Sequence, residues 1–221
     1  MHDPRKIAAG KTLHLLLNEK RKTADPELDP LLEELVRAKG LSAAKALFDH
    51  LIRTIELPVT ELPDSLQAFI QQKRQWPNWA EPAKLKAAQK LFIDHGPKFL
   101  LLLYFKSLPT LYACRKGAEV LVQTGRLAHD RQSLEIFSRR VAETGQFLVE
   151  VMAPDALRPQ GPALDYLLKV RIIHSAIRQF IRMGDWDTEE YGEPINQEDQ
   201  ALTLLSFGWM PLEGVEKFQI P

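Results

Sequence analysis

A chain of 221 residues, 45% of them hydrophobic, is long enough to bury one sizeable core. Its 29 Lys plus Arg balance 29 Asp plus Glu, so no net field gathers nucleic acid or an anionic membrane, and a polyanionic partner is disfavoured. The single cysteine, Cys114, cannot form an internal disulfide, and the opening MHDPRKIAAG lacks the apolar run of a secretory signal, so the expected compartment is the cytoplasm.

Apolar residues recur at three-to-four spacing while alternating runs are scarce, which predicts an all-α fold. His2 and His14 fall near a terminus expected to be mobile. A helical pair is predicted over about 30–57, broken near Gly40 and ended by Pro58 and Pro63, followed by a short helix over 65–75. The segment WPNWAEP reads as a turn that packs Trp76 and Trp79 against the main body. Further helices are predicted over about 83–94, 97–105, 108–123, 130–152, 163–183 and 196–210, with Asn196 capping the last through Asp199. Residues 1–80 are read as an N-terminal helical extension packing on a core formed by residues 81–221.

The longest apolar run, Phe99 to Phe105, is far shorter than the roughly 20 residues of a membrane-spanning helix and is expected to be a buried segment. Phosphate-loop and dinucleotide-turn motifs are absent, as is any C-x-x-C pair. His95, in Asp94-His95-Gly96, is placed at a helix junction, as a turn cap or near a cofactor; His50 and His129 are not offered as ligands. Cys114 precedes Arg115 and Lys116, yet nothing pairs it with a catalytic base, and its inert reading is preferred.

In LLKVRIIHSAIRQFIR, His174 shares a helix face with Leu167, Val170, Ile177 and Ile181, and Arg171 and Arg178 lie beside it. A haem would use all of these: apolar walls, a neutral imidazole for iron, and cations for its propionates. The alternative is a core histidine, with the arginines paired to acids of a neighbouring helix. The preceding predicted helix carries Arg140, Thr144, Phe147 and Val151 on one face, with Glu143 beside Thr144. That polar set reads either as a pocket facing bound oxygen or as interhelical pairing.

The ordered pieces FIDHGPKFLLLLYFKSLPTLYA, GAEVLVQTGRL, the R-x-x-E-T of Arg140–Thr144, KVRIIHSAIR and GEPINQEDQALTLLSFG resemble the family of latex clearing proteins and MpaB-type oxygenases. The resemblance covers about 88–214 and is most specific in the R-x-x-H-x-x-x-R around His174 and in P-I-N-Q-E-D from Pro194. It implies a globin-like all-α core holding a b-type haem (heme b), with His174 as axial iron ligand. The family's distal R-x-x-K-T maps onto Arg140 and Thr144, 34 residues before His174, with Glu143 standing where the lysine would be. The chain stops seven residues beyond Gly214, where relatives usually continue, so the resemblance implies a minimal or truncated member.

By that resemblance the chain is expected to be a haem-dependent oxygenase using dioxygen on a carbon–carbon double bond of a small apolar, isoprenoid- or lipid-like substrate. A soluble lipid or terpenoid is expected rather than polyisoprene, with no nucleic acid and no membrane span. Candidate site residues are His174 on iron, Arg171 and Arg178 on the cofactor, and Arg140, Glu143 and Thr144 on the catalytic side. Glu143 would either take a proton from the substrate or hold Arg140, the second being favoured. The alternatives are a haem protein without turnover (a sensor, carrier or store) and a helical scaffold without cofactor.

Overall fold

The computed structural model describes residues 4–53, 59–125 and 131–218, and every regular element among them is helical. The fold is all-α. Helix α1 (Pro4–Arg21) occupies the stretch expected to be a mobile terminus, because its Ala, Leu, Lys and Arg are strong helix formers. His14 therefore sits on a helix, with Nε2 3.1 Å from the Asn18 amide nitrogen, while His2 lies outside the described residues.

Helices α2 (Asp29–Lys39) and α3 (Leu41–Arg53) form the predicted pair. Gly40 joins them at φ +79°, a conformation that glycine adopts without a Cβ penalty, and Pro30 sits in the first turn, where its missing N–H leaves no bond unmade. The predicted end at Leu57 and Pro58 lies outside the described residues. A 3-10 turn (Val59–Glu61) leads into α4 (Asp64–Lys73). In the following turn Trp76 packs as predicted, its indole N–H donating to the Leu157 carbonyl, but Trp79 is 81% exposed and packs on nothing comparable.

Two predicted helices merge into one, α5 (Pro82–Leu102), which runs straight through Pro97. Phe92 and Phe99 are buried on either side of the proline with ring centroids 5.8 Å apart, so tertiary packing overrides the local penalty. His95 consequently lies mid-helix and half-buried, not at a junction. A π turn (Leu103–Ser107) follows, then α6 (Leu108–Ala113) and α7 (Arg115–Gln123), split at Cys114 where one helix was predicted. Of the run Phe99–Phe105, Phe99, Leu102 and Leu103 are buried, whereas Leu101 and Phe105 face outward. The expected wholly buried segment is therefore an amphipathic one.

Helices α8 (Arg131–Val151) and α9 (Pro162–Arg182) match the two longest predicted helices. After the short α10 (Thr188–Tyr191), the last predicted helix divides at Gly208 into α11 (Gln197–Phe207) and α12 (Trp209–Lys217). The larger buried cluster joins Leu28, Leu32, Leu35, Phe48 and Leu66 of the N-terminal segment to Leu168, Ile172 and Ala176 of α9. A second cluster unites Phe92, Phe99, Leu102 and Val215 with Leu148 and Met152 of α8. Among the described residues no helix is long and apolar enough to cross a membrane.

Candidate functional site

Helix α9 begins at Pro162, after an extended Gly161, and carries Asp165 in its first turn and Arg182 in its last, each sign matching the helix dipole. One face of it, Leu168, Ile172 and Ala176, is spent on the N-terminal core. The face carrying His174 is different. Leu167, Val170, His174 and Ile177 are half-buried or exposed, Ile181 is buried at one end, and none of them belongs to either buried cluster. The structure thus brings the predicted ligand to the middle of a half-buried apolar stripe that belongs to neither buried cluster of the described residues.

The two flanking arginines turn away from that stripe toward the N-terminal segment. Arg171 Nε and Nη2 donate to Asp25 at 2.6 and 2.9 Å, and Nη2 also reaches Glu27 at 2.8 Å. Arg178 is 1% exposed and donates from Nε and Nη2 to Asp29 at 2.7 to 3.0 Å and from Nη1 to the Ile195 carbonyl at 3.3 Å. Asp29 also accepts from Ser175 Oγ at 2.5 Å and from Arg182 at 3.3 Å. Both arginines are thus paired with neighbouring acids, and a propionate contact would require displacing Asp25 or Asp29. The physical reason is local: the Asp-Pro pairs at 25–26 and 29–30 stop the chain beside α9 and present carboxylates to it, Asp25 also accepting from the backbone N–H groups of Glu27 and Leu28.

This pairing sets a pH dependence. Burial pushes the Asp25 carboxyl up, but the hydrogen bond and charge of Arg171 outweigh it and hold it below its ordinary 3.8, while Lys73 and Arg171 lower Glu27. A carboxylate with a lowered folded-state value contributes stability that is complete above the unfolded-chain value and lost as pH falls through the folded one. Asp25→Asn is therefore expected to be less stable than the parent near neutrality, with the gap in urea midpoints closing below about pH 4. A gap that stays constant down to about pH 2.5 contradicts the assignment.

The P-I-N-Q-E-D segment proves to be a clamp between α1, α9 and α11. Asn196 is buried and caps α11 as predicted, its side-chain oxygen accepting from the Asp199 N–H at 2.9 Å. Gln197 donates from its backbone to Thr23 O at 2.8 Å and from its side chain to Ala24 O at 2.7 Å. Arg21 forms ion pairs with Glu198 at 2.5 Å and Asp199 at 3.0 Å. Ile195 holds φ at +50°, an unfavourable value for a β-branched residue, and its carbonyl is the one that Arg178 meets. Gly192, at φ +72°, is obligatory beside it, because a Cβ there would lie 2.6 Å from the Arg21 carbonyl.

On α8, Thr144 is half-buried, and the side chain of Arg140 lies outside the described set. The expected pairing of Glu143 with Arg140 falls on a side chain outside the described residues. Glu143 itself is exposed and accepts from Arg139 Nε at 3.0 Å, one turn back on the outer face of the helix. Such an exposed i,i+4 pair contributes about 0.2–0.5 kcal/mol, so Glu143→Gln is expected to shift the denaturation midpoint only slightly and to leave cofactor uptake intact. A loss of more than about 1 kcal/mol would show that Glu143 has an inward role. Helix α8 packs on α9, where burial pushes the Lys169 ammonium down and Glu150 opposes it. Gly145, next to Thr144, admits the side chain of Tyr104 from the π turn.

The chemistry of the His174 side of α9 suits a haem: the half-buried apolar stripe would supply a wall and the imidazole a ligand of the right kind. It does not fit the arginine side, where carboxylates already stand. Among the described residues no cluster of His, Cys, Asp or Glu could hold a bare metal ion. His50 is exposed, His129 lies outside the described residues, and Cys114 Sγ, at the end of α6, sits 3.5 Å from the Thr110 carbonyl one turn back. Sequence reasoning missed Asp25 and Asp29, whose only signal is the repeated Asp-Pro, that of a helix start.

Residues 99–221, which contain α8, α9 and the clamp, match the family described as ER-bound oxygenase mpaB/B'/Rubber oxygenase, catalytic domain, and the chain belongs to that family. It is 25% identical over 201 residues to the rubber oxygenase of Streptomyces sp. (strain K30), covering 89% of this chain and 47% of the relative. The chain thus spans about half the length of that curated relative. No solved structure matches.

Proposed function

We propose that this chain is a haem b-dependent oxygenase acting on carbon–carbon double bonds of an apolar, isoprenoid- or lipid-like substrate. The observation that carries the reading is His174, centred on an apolar stripe outside both cores, within the stretch that matches an oxygenase family. The name of the Streptomyces relative, a rubber oxygenase, supports the apolar alkene. Bound haem supplies the binding and activation of dioxygen.

The chain's own residues do the rest. His174 holds the iron from the α9 side, while Leu167, Val170, Ile177 and Ile181 exclude water from it. Arg140 and Thr144 supply polar groups from α8 that orient oxygen and substrate. Arg171 and Arg178 act on the site indirectly, by fixing the rotation of α9 through Asp25 and Asp29. Residues 1–80 then serve as a buttress for α9, and residues 81–221 as the cofactor-holding part.

Two measurements on purified protein test the reading: absorbance during haem titration, and oxygen uptake with an unsaturated isoprenoid lipid. A Soret band together with lipid-dependent oxygen uptake is expected. A band without uptake identifies a non-catalytic haem protein, and no band at stoichiometric haem overturns the reading.

A further inference from the structure

Helices α5, α11 and α12 and the π turn pack on one another, and together they carry apolar side chains that face outward. The inner side of α12 is already spent: Pro211, Gly214 and Val215 are buried, and a Cβ on Gly214 would lie 2.5 Å from Leu102 Cδ2. Lys106 fastens the π turn to the same helix, reaching the Met210 carbonyl at 3.5 Å and the Glu213 carboxylate. What this packing leaves outside is Leu101, Phe105, Leu204, Leu205, Trp209 and Leu212, each between 47 and 78% exposed.

That surface is large for a chain that stands alone. Taking about 150–250 Å² for a whole large side chain, these residues together expose roughly 700 Å². The largest apolar patch on a typical monomer is about 300–600 Å², and each partner of a standard interface contributes about 800 Å². Charge then selects the occupant. No charged residue lies between Gln200 and Leu212. The rim carries both signs, with Lys98, Lys106 and Lys217 against Glu213 and Glu216. An anionic lipid surface draws a rim that is basic throughout, whereas a mixed rim suits a protein surface. A two-fold axis sets such a patch against itself: the uncharged centre meets no like charge, and the mixed rim allows lysines of one copy to pair with carboxylates of the other. The zero net charge of the chain lets two copies approach without repulsion.

We propose that this face is the interface of a homodimer, its occupant a second copy of this chain, with Leu204, Leu205 and Trp209 at the centre. Trp209 and Phe105 serve as anchors, because large aromatic side chains within an apolar patch carry a disproportionate share of binding energy. None of these residues lies on α8 or α9, so dimerisation is independent of the haem reading above.

Sedimentation velocity of the full chain over a concentration series tests this, with or without haem. The mass is expected to rise to twice that of the chain by about 100 μM, in keeping with an interface near the small end of the stable range. Leu204→Ser combined with Leu205→Ser is expected to hold the protein at the single-chain mass throughout, with a thermal midpoint within about 2 °C of the parent, because both side chains are already exposed. Trp79→Ser is the control: it removes a side chain 81% exposed that precedes α5, roughly 30 Å along the helix from Leu101, and should leave the dimer intact. A parent chain that keeps the single-chain mass at every concentration, or a dimer that survives the paired leucine substitutions, overturns the assignment. So does flotation of single-chain protein with vesicles of phosphatidylcholine and phosphatidylglycerol that the same substitutions abolish, which would give the face to lipid.

Discussion

His174→Ala is expected to purify as folded protein that takes up no haem and shows no Soret band. The argument starts from α9, whose two faces do different work. Leu168, Ile172 and Ala176 hold the N-terminal core, whereas His174 lies on the stripe that neither core covers. Removing an imidazole from that stripe leaves the N-terminal core untouched, so stability of the haem-free protein should change by no more than about 1 kcal/mol. Cofactor affinity should collapse, because the iron loses its protein bond. A His174→Gly variant supplied with free imidazole gives the sharper result, since the cavity can accept the missing ligand and restore the band. Retention of the parent spectrum by His174→Ala, without added imidazole, excludes the residue as the ligand.

How far the sequence reveals this site depends on whether each contact is local. The helix face of His174 is legible because spacing of three and four residues along one helix fixes which side chains are neighbours. The cap of α11 is legible for the same reason: Asn196 and Asp199 lie within one turn. The partners of Arg171 and Arg178 are not. They come from residues about 146 and 149 positions earlier in the chain, and no periodicity links the two segments. Pro97 and Cys114 mislead in opposite directions. The proline implies a break that the packing of Phe92 against Phe99 cancels, while the stretch around Cys114 reads as continuous helix yet turns at ψ 85°. The contact of Tyr104 with Gly145 is invisible because it is a single close approach between residues far apart in the chain. A glycine in a strong helix pattern is the one hint the sequence offers there.

Arg178→Leu is expected to destabilise the protein by about 3–5 kcal/mol, whether or not haem is present. The side chain is 1% exposed and holds Asp29 through three contacts from Nε and Nη2, so its removal strands a carboxylate that is itself 5% exposed. Ser175 and Arg182 remain as partners of Asp29, but the Arg182 contact is long at 3.3 Å and that side chain is about a quarter exposed, which weakens its compensation. Arg178→Lys should fall between parent and leucine variant: the ammonium keeps the charge but lacks the fork that engages both oxygens of Asp29 and the Ile195 carbonyl together. Urea denaturation of the haem-free and haem-loaded forms measures both effects. Equal losses in the two forms place Arg178 in the frame that orients α9. A loss confined to the haem-loaded form would instead mean that the guanidinium swings from Asp29 to a propionate when the cofactor enters, and a loss below about 1 kcal/mol in both forms would contradict the buried pair altogether.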